Sequence, residues 1–478
     1  MLKDELKNLL KQRLETSSLI SLPNGLRAKN NLAKLMWILF SIASASLCAL
    51  FIYRTITDYL SYEVVTKTDV KYETRLTFPI VTICNLNIFT TNYSREILSK
   101  KYDSYYPHIG VLDLSLVDTV KIIKNNDSYK YLIGKRLENF ITECRFSKSA
   151  CDLSRDFEYY YDYNYGNCFR FNSGKDMNGS ETKLKTVSKN GIGTGLLLEL
   201  YAGSPGENMN MFSKENGFII FISDYAIDSS ISDGISISPG VSTKIAIKLN
   251  KHTKKPKPYS NCLENLINNN SYDSECYRRS ISSSDQYHYI TCVSFCIQKY
   301  IGDNCKCQAP AIGKIYYSNF RICSEKINQT IPFEDIECMK KFINEFADSI
   351  DTLNECNCPM ECNSNYFTQL ISYSQFPTRQ YSQYLIQSKF FNGSSNITFE
   401  YLRESMALVQ IYFDELKTTV LTESIKMQAA DLISSLGGLL GLFMGLSFLS
   451  FVEIFDFLIN WFILLYNYNR DNKIRTQK

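Results

Sequence analysis

Two long apolar segments bracket a stretch in which short apolar runs alternate with polar turns. Leu35 to Tyr53 carries no charge and is bounded by Lys34 and Arg54, with Trp37 and Tyr53 placed as interface anchors. A helix rises about 1.5 Å per residue against a hydrocarbon core about 30 Å thick, so this run suffices to cross a bilayer. A secretory signal would have a shorter apolar core and a small-residue cleavage site close behind it. The second segment, Asp431 to Arg470, is uncharged from Leu432 to Val452 and from Phe457 to Asn469, and only Glu453 and Asp456 interrupt it. Nearly twice the roughly 20 residues that a crossing needs, it either tilts steeply or is broken. Gly437, Gly441 and Gly445 share one helical stripe with Gly438 beside them, a pattern for close helix approach. Glu453 and Asp456, three apart, can face one bundle interior or aqueous lumen as a cation pathway; the rival is a stop-transfer anchor with acids near the headgroups.

Between these segments, RLTFPIVTICNLN reads as an extended strand from its Pro and β-branched residues. GLLLELY, GFIIFISDY and TKIAIKL read as strands of a β-core, separated by the turn signals GSPGE, SDG and SPG. Helical patterns surround Cys292–Tyr300 and Phe333–Ile350, and ESMALVQIYFDELKTTVLTE alternates as a strand leading into the second apolar segment. Thr55 to Glu73 reads as a polar connector. The aromatic and acidic run from Asp156 to Tyr163 could grip a cation, but reads better as a solvated tyrosine-rich loop. The cluster Lys248, Lys251, His252, Lys254, Lys255 and Lys257, with Pro256 and Pro258, reads as an exposed loop.

Charge adds topology. The flank up to Lys34 is rich in Lys and Arg, and Arg470, Lys473, Arg475 and Lys478 follow the second apolar segment, so both ends read as cytoplasmic. The sequons at Asn92, Asn126, Asn178, Asn269, Asn328, Asn392 and Asn396 all lie between the two segments, which makes the middle extracellular. Of 16 cysteines all but Cys48 fall between Cys84 and Cys362, as in an oxidised, stapled ectodomain. The C-x-C doublets Cys305–Cys307 and Cys356–Cys358 lack the usual zinc spacing, so no metal is expected. A net charge of +3 gives no reason to expect nucleic acid. No H-E-x-x-H, G-x-S-x-G or phosphate-loop pattern occurs and only three histidines are present, so no enzyme and no cofactor are expected.

Several motifs together resemble the epithelial sodium channel, degenerin and acid-sensing channel family: LTFPIVTICNLN, GNCFRFN, PYSNC, TCVSFC, NCKC, CNCPMEC and GLLGLFMGLSFLSFVEIFDF. The composition looks most like that of cnidarian members such as the Hydra peptide-gated channels. The resemblance implies a membrane α+β fold: two transmembrane helices per subunit flanking a large disulfide-rich extracellular domain with a β-sheet palm and peripheral helices, assembled as a trimer. The segments would be 1–34 cytoplasmic, 35–54 first transmembrane helix, 55–430 extracellular, 431–469 second transmembrane helix and pore, and 470–478 cytoplasmic. By cysteine order it implies the pairs Cys84–Cys168, Cys144–Cys151, Cys262–Cys362, Cys292–Cys358, Cys296–Cys356, Cys305–Cys338 and Cys307–Cys323, leaving Cys276 over. Its selectivity filter would fall on Gly445, Leu446 and Ser447, its acidic rings on Glu453 and Asp456, and its gate and amiloride region on Ser434 and Ser435. The N-terminal gating dipeptide would be Asn24 and Gly25, with Asn in place of the family's His. Leu446 is bulkier than the usual small residue, which opens calcium permeation beside sodium.

The implied function is a subunit of a ligand-gated, amiloride-sensitive cation channel in the plasma membrane. Its partners would be sister subunits in a homo- or heterotrimer, an extracellular neuropeptide, sodium and calcium ions and membrane lipid. Proton or mechanical gating is the alternative within the family. A non-conducting two-pass disulfide-rich surface receptor is the alternative outside it.

Overall fold

The structure is a computed structural model that describes residues 30–94, 130–162, 164–203, 215–224, 234–264, 274–283, 287–309, 320–323, 333–348, 356–391 and 397–447, with further positions up to Tyr466. The chain divides into two compact units, Met1–Thr66 with Glu423–Lys478, and Lys67–Thr422.

The first described element is α1 (Asn31–Leu60). Neither Gly nor Pro interrupts it, and the hydroxyls of Thr55 and Thr57 donate back to the carbonyls of Phe51 and Tyr53, each at 2.8 Å. The helix therefore continues past Arg54 until Tyr62, at φ 52°, turns the chain into β1 (Val64–Tyr72). The expected polar connector is in fact a helix end and a strand.

The LTFP motif forms β2 (Leu76–Thr77) and β3 (Ile80–Asn85), the latter buried throughout. After the short α2 (Lys130–Ile133) come β4 (Ile141–Phe146), β5 (Ser149–Ala150), β6 (Phe157–Asp162), β7 (Gly166–Phe171), β8 (Thr186–Val187), β9 (Leu196–Tyr201), β10 (Phe218–Ser223), β11 (Ile235–Ile237) and β12 (Val241–Thr253). The cysteine-rich part holds β13 (Cys262–Leu263), α3 (Glu275–Ser283), α4 (Tyr289–Cys305), β14 (Cys307–Gln308), β15 (Arg321–Ile322), α5 (Phe333–Asp348) and β16 (Met360–Glu361). The chain then runs through β17 (Asn363–Gln375), α6 (Arg379–Ile386), α7 (Phe399–Ser405), β18 (Met406–Ile425) and α8 (Ala429–Met444). Thr378 and Thr398 cap α6 and α7, accepting the N–H groups of Tyr381 and Tyr401 at 3.2 Å.

Two sheets carry the larger unit. One has the order β17-β12-β18-β9-β4-β5 with β1 added on β18, and the other β11-β10-β3-β7-β6. In the first, β12 and β18 run parallel, while β17 on β12, β9 on β18 and β4 on β9 are antiparallel. One apolar core takes Val81, Phe157 and Phe169 from the smaller sheet and Leu198, Ile247 and Ile411 from the larger, none more than 1% exposed. Gly195 opens β9 where only a glycine fits, since a Cβ there would strike the backbone carbonyl of Ile411.

Two expectations change. The tyrosine run is not a solvated loop: it forms β6, whose Phe157 enters the core and whose Glu158 stands opposite Arg170 of β7. The Arg170 guanidinium lies over the Tyr160 ring at 3.7 Å, so the run is satisfied by its partner strand rather than by water. Nor is the basic cluster all loop, because Lys248, Lys251 and His252 belong to β12 and Lys248 pairs with Asp414 at 3.0 Å.

The disulfides join Cys84–Cys168, Cys144–Cys151, Cys262–Cys362, Cys292–Cys358, Cys296–Cys356, Cys305–Cys338 and Cys307–Cys323. These are the seven pairs that the cysteine order implied. α4 is their hub, because Cys292, Cys296 and Cys305 all sit on it.

Candidate functional site

α8 opens with a capping box: the Gln428 N–H donates to Asp431 Oδ2 at 2.9 Å while the Gln428 side chain accepts from the N–H of Asp431. Ser434 and Ser435 follow on exposed positions of its first turns. Gly437 and Gly438 face open space, and a Cβ at Gly441 would meet only Leu446 O of the same segment, at 3.5 Å. Among the described residues Gly437, Gly438 and Gly441 therefore receive no neighbouring helix.

The helix stops at Gly445, which takes φ 71°, a left-handed conformation natural to glycine. Its N–H returns to Gly441 O at 3.0 Å and that of Leu446 to Leu440 O at 3.3 Å, a closed helix end. Gly445, Leu446 and Ser447 then run outside any helix. Ser447 donates its N–H to Ser450 Oγ at 3.0 Å, and Ser450 N–H donates to Ser447 O at 3.0 Å. Glu453 and Asp456 lie on the helical stretch that follows, Glu453 half-buried and Asp456 exposed, with the Asn460 amide donating to Asp456 Oδ1 at 3.2 Å. The long apolar segment is thus interrupted rather than one continuous helix. By length and composition α1 qualifies to cross a membrane, whereas α8 is apolar but shorter.

α1 and α8 pack antiparallel. Ser44 Oγ donates to Phe443 O at 2.5 Å, Cys48 Sγ to Leu439 O at 3.9 Å, and the rings of Phe51 and Phe443 stack at 5.7 Å.

In the larger unit the structure assembles titratable groups that the sequence scatters. Glu199 of β9 is buried, accepts the Tyr381 hydroxyl at 2.5 Å and stands beside Glu143. Burial pushes its carboxyl pKa up, against the hydrogen bonds from Tyr381 and Thr142 that favour the charged form. Tyr381 is raised in turn, by burial and then by Glu199. A second group joins Asp224, His288 and Glu361. Burial would raise Glu361, yet the His288 hydrogen bond and backbone N–H groups, Tyr289 at 2.8 Å among them, hold it below the usual carboxylate range. Asp224 is raised, by burial first. Glu199 as the lone acid in LLLELY was a legible signal; its partner Tyr381 was not.

The sequons at Asn92 and Asn178 are exposed, the latter on a turn where its N–H donates to Asp176 Oδ1 at 2.8 Å. Asn24, Gly25, Asn126, Asn269, Asn328, Asn392 and Asn396 lie outside the described residues. Cys48 and Cys276 are free and buried, and burial raises the Cys276 thiol pKa.

Beside the stapled two-sheet unit the chain carries one helix long and apolar enough to cross a membrane and a shorter apolar helix that ends at a left-handed glycine. The model of the amiloride-sensitive sodium channel family matches residues 14–457, and the chain belongs to that family. It is similar to the degenerin-like protein asic-2 of Caenorhabditis elegans, 25% identical over 92% of this chain and 84% of that one. It is similar to the FMRFamide-activated amiloride-sensitive sodium channel of Cornu aspersum, 22% identical over 91% and 80%, and to human acid-sensing ion channel 2, 25% identical over 89% and 81%. The family is one of plasma-membrane sodium channels built from several subunits, and the chain belongs with these channels, not with enzymes.

Proposed function

We propose that this chain is one subunit of a trimeric, amiloride-sensitive cation channel that an extracellular neuropeptide opens, with two membrane crossings and both termini cytoplasmic. The observation that carries the reading is the break in α8 at Gly445, followed by Glu453 and Asp456. Helix interruptions at membrane depth are tolerated where the backbone lines an aqueous path. Three copies of Gly445, Leu446 and Ser447 would offer backbone carbonyls and the serine hydroxyl in place of part of a cation's hydration shell. Glu453 and Asp456 form acidic rings beyond it, and Ser434 and Ser435 form the gate where amiloride acts. Asn24 and Gly25 are the N-terminal gating pair. Bulky Leu446 loosens sodium selectivity and admits calcium. Peptide binding to the ectodomain shifts the closed–open population by the difference in its affinity for the two states. The FMRFamide-activated relative supports a peptide ligand.

Gating by protons is a second reading, favoured by buried Glu199, whose carboxyl pKa is pushed up by burial. Mechanical gating has no such observation behind it. Expression alone and with sister subunits, with amidated peptides and acid applied separately, separates the first two: current to acid without any to peptide reverses the ranking. Replacing Ser447, Glu453 and Asp456 is expected to change selectivity and conductance; unchanged values for all three point instead to a non-conducting receptor or a silent partner. Endoglycosidase shifts lost in Asn92→Gln or Asn178→Gln would place those two sequons outside the cell.

A further inference from the structure

Four Ser and Thr hydroxyls of α1 make hydrogen bonds of two kinds. Ser41, Thr55 and Thr57 donate one turn back along their own helix, to Trp37 O at 2.7 Å and to Phe51 O and Tyr53 O at 2.8 Å. That is the ordinary choice, because the i−4 carbonyl is the nearest acceptor. Ser44 instead crosses to α8 and donates to Phe443 O at 2.5 Å.

The acceptor is two residues before Gly445, in the last turn of α8. If α8 continued as a helix, the Phe443 carbonyl would accept the N–H of Ser447, four residues on. Both halves of that bond are occupied by side chains. Ser44 Oγ holds the carbonyl, and Ser450 Oγ accepts the Ser447 N–H at 3.0 Å. Two serine hydroxyls thus stand in for the one backbone bond that would wind Gly445, Leu446 and Ser447 into helix. The neighbouring contacts fix the same turn, since Cys48 reaches Leu439 O and Phe51 stacks on Phe443.

We propose that Ser44 and Ser450 are positioning residues that keep α8 broken, and so set the geometry of the segment read above as the selectivity filter. Ser44 supplies the donor from outside the pore helix and Ser450 the acceptor from below the break. Loss of either frees one half of the Phe443–Ser447 bond, and loss of both lets the turn close. The proposal rests on the filter reading, and its test separates the two.

Sodium-to-potassium permeability ratios are measured in the full chain, opened by an amidated peptide or by acid. Ser44→Ala and Ser450→Ala should each change the ratio at least threefold, the double variant should change it by less than the product of the two, and Ser44→Thr should restore it. Ser41→Ala, the same atom lost from the same helix, should leave it unchanged. A ratio that moves with Ser447 but not with Ser44 or Ser450 overturns this proposal and leaves the filter reading standing; a ratio indifferent to Ser447, Glu453 and Asp456 removes the filter reading itself. A second measurement needs no current: copper-phenanthroline cross-linking of Phe51→Cys to Phe443→Cys should fall severalfold when Ser44→Ala is added and recover with Ser44→Thr. Equal yields in all three backgrounds overturn the positioning role.

Discussion

The sheets and the cysteine-rich helices belong to one unit, yet different forces hold them. Between the sheets lies a continuous apolar core in which Phe157, Phe169 and Phe171 are fully buried and Phe171 packs against the rings of Phe78, Phe146 and Phe157. Only Cys84–Cys168 and Cys144–Cys151 serve that region. Around α3, α4 and α5 the buried apolar clusters are smaller among the described residues and rich in cysteine, and the other five disulfides gather there. Burial near 25 cal/mol per Å² is the main stabilisation of the sheets, with two disulfides beside it, whereas the helical part leans more on cross-links that restrict its unfolded chain. Reduction is therefore a selective probe: it should loosen the helices first.

The contrast breaks most readily in the sheets. Phe171→Ala removes a fully buried ring and should cost about 3–5 kcal/mol, read as a loss of surface-delivered protein and of thermal midpoint. A cost below about 1 kcal/mol would mean that the core is not what holds the sheets. Next comes the double change Cys262→Ser with Cys362→Ser, which opens a link spanning a sequence separation of 100. It should cost about 2–4 kcal/mol, with limited proteolysis cutting near α4 while the sheet fragments persist. Equal protection in both regions would dissolve the distinction. Tyr201→Phe, which deletes the bond between the Tyr201 and Tyr401 hydroxyls at 2.5 Å, should cost about 1 kcal/mol.

The smallest effect is the pH dependence of Glu199. Its folded pKa lies above its ordinary value of 4.5, so the folded state binds the proton more tightly than the unfolded one. Its contribution is then fully present below 4.5 and lost as pH rises through the folded value. Glu199→Gln should accordingly be more stable than the parent at neutral pH, with the gap in melting temperature closing as pH falls toward 4.5. A gap that widens on acidification would contradict the raised pKa.

Several strands were legible in sequence: Pro and β-branched residues marked LTFPIVTICNLN, an apolar run between turn signals marked GFIIFISDY, and alternation marked the stretch that became β18. So was the course of α4 and α5, and the cysteine order carried the disulfide pattern through the family resemblance. β6 was misread because its tyrosines and acids give no apolar period, and its partners in β7, Arg170 above all, act across the strand pair rather than along the chain. β1 was missed for a related reason: Lys67, Asp69 and Lys71 break up its valines, most of the strand is exposed, and its place is fixed by pairing with β18. In the apolar segments the glycines and acids were visible as residue types, and excess length left a steep tilt or a break open, but the bond from Ser44 to Phe443 joins two segments far apart in the chain. Single-sequence patterns register what a residue does to its own helix or strand, and these residues act on another.

β18 sets one more limit on how this molecule can move. Val409, Ile411 and Phe413 point into the core while Gln410 and Tyr412 occupy the opposite face, and the strand is flanked by β9 on one side and β12 on the other. Advancing it by a single residue would push an amide and a phenol into the apolar layer and eject three hydrophobic groups. The next permitted step, two residues or about 7 Å, would sever the ladders on both flanks at once. Force travelling along this strand thus cannot work as a piston; it must rock or twist the sheet as a body.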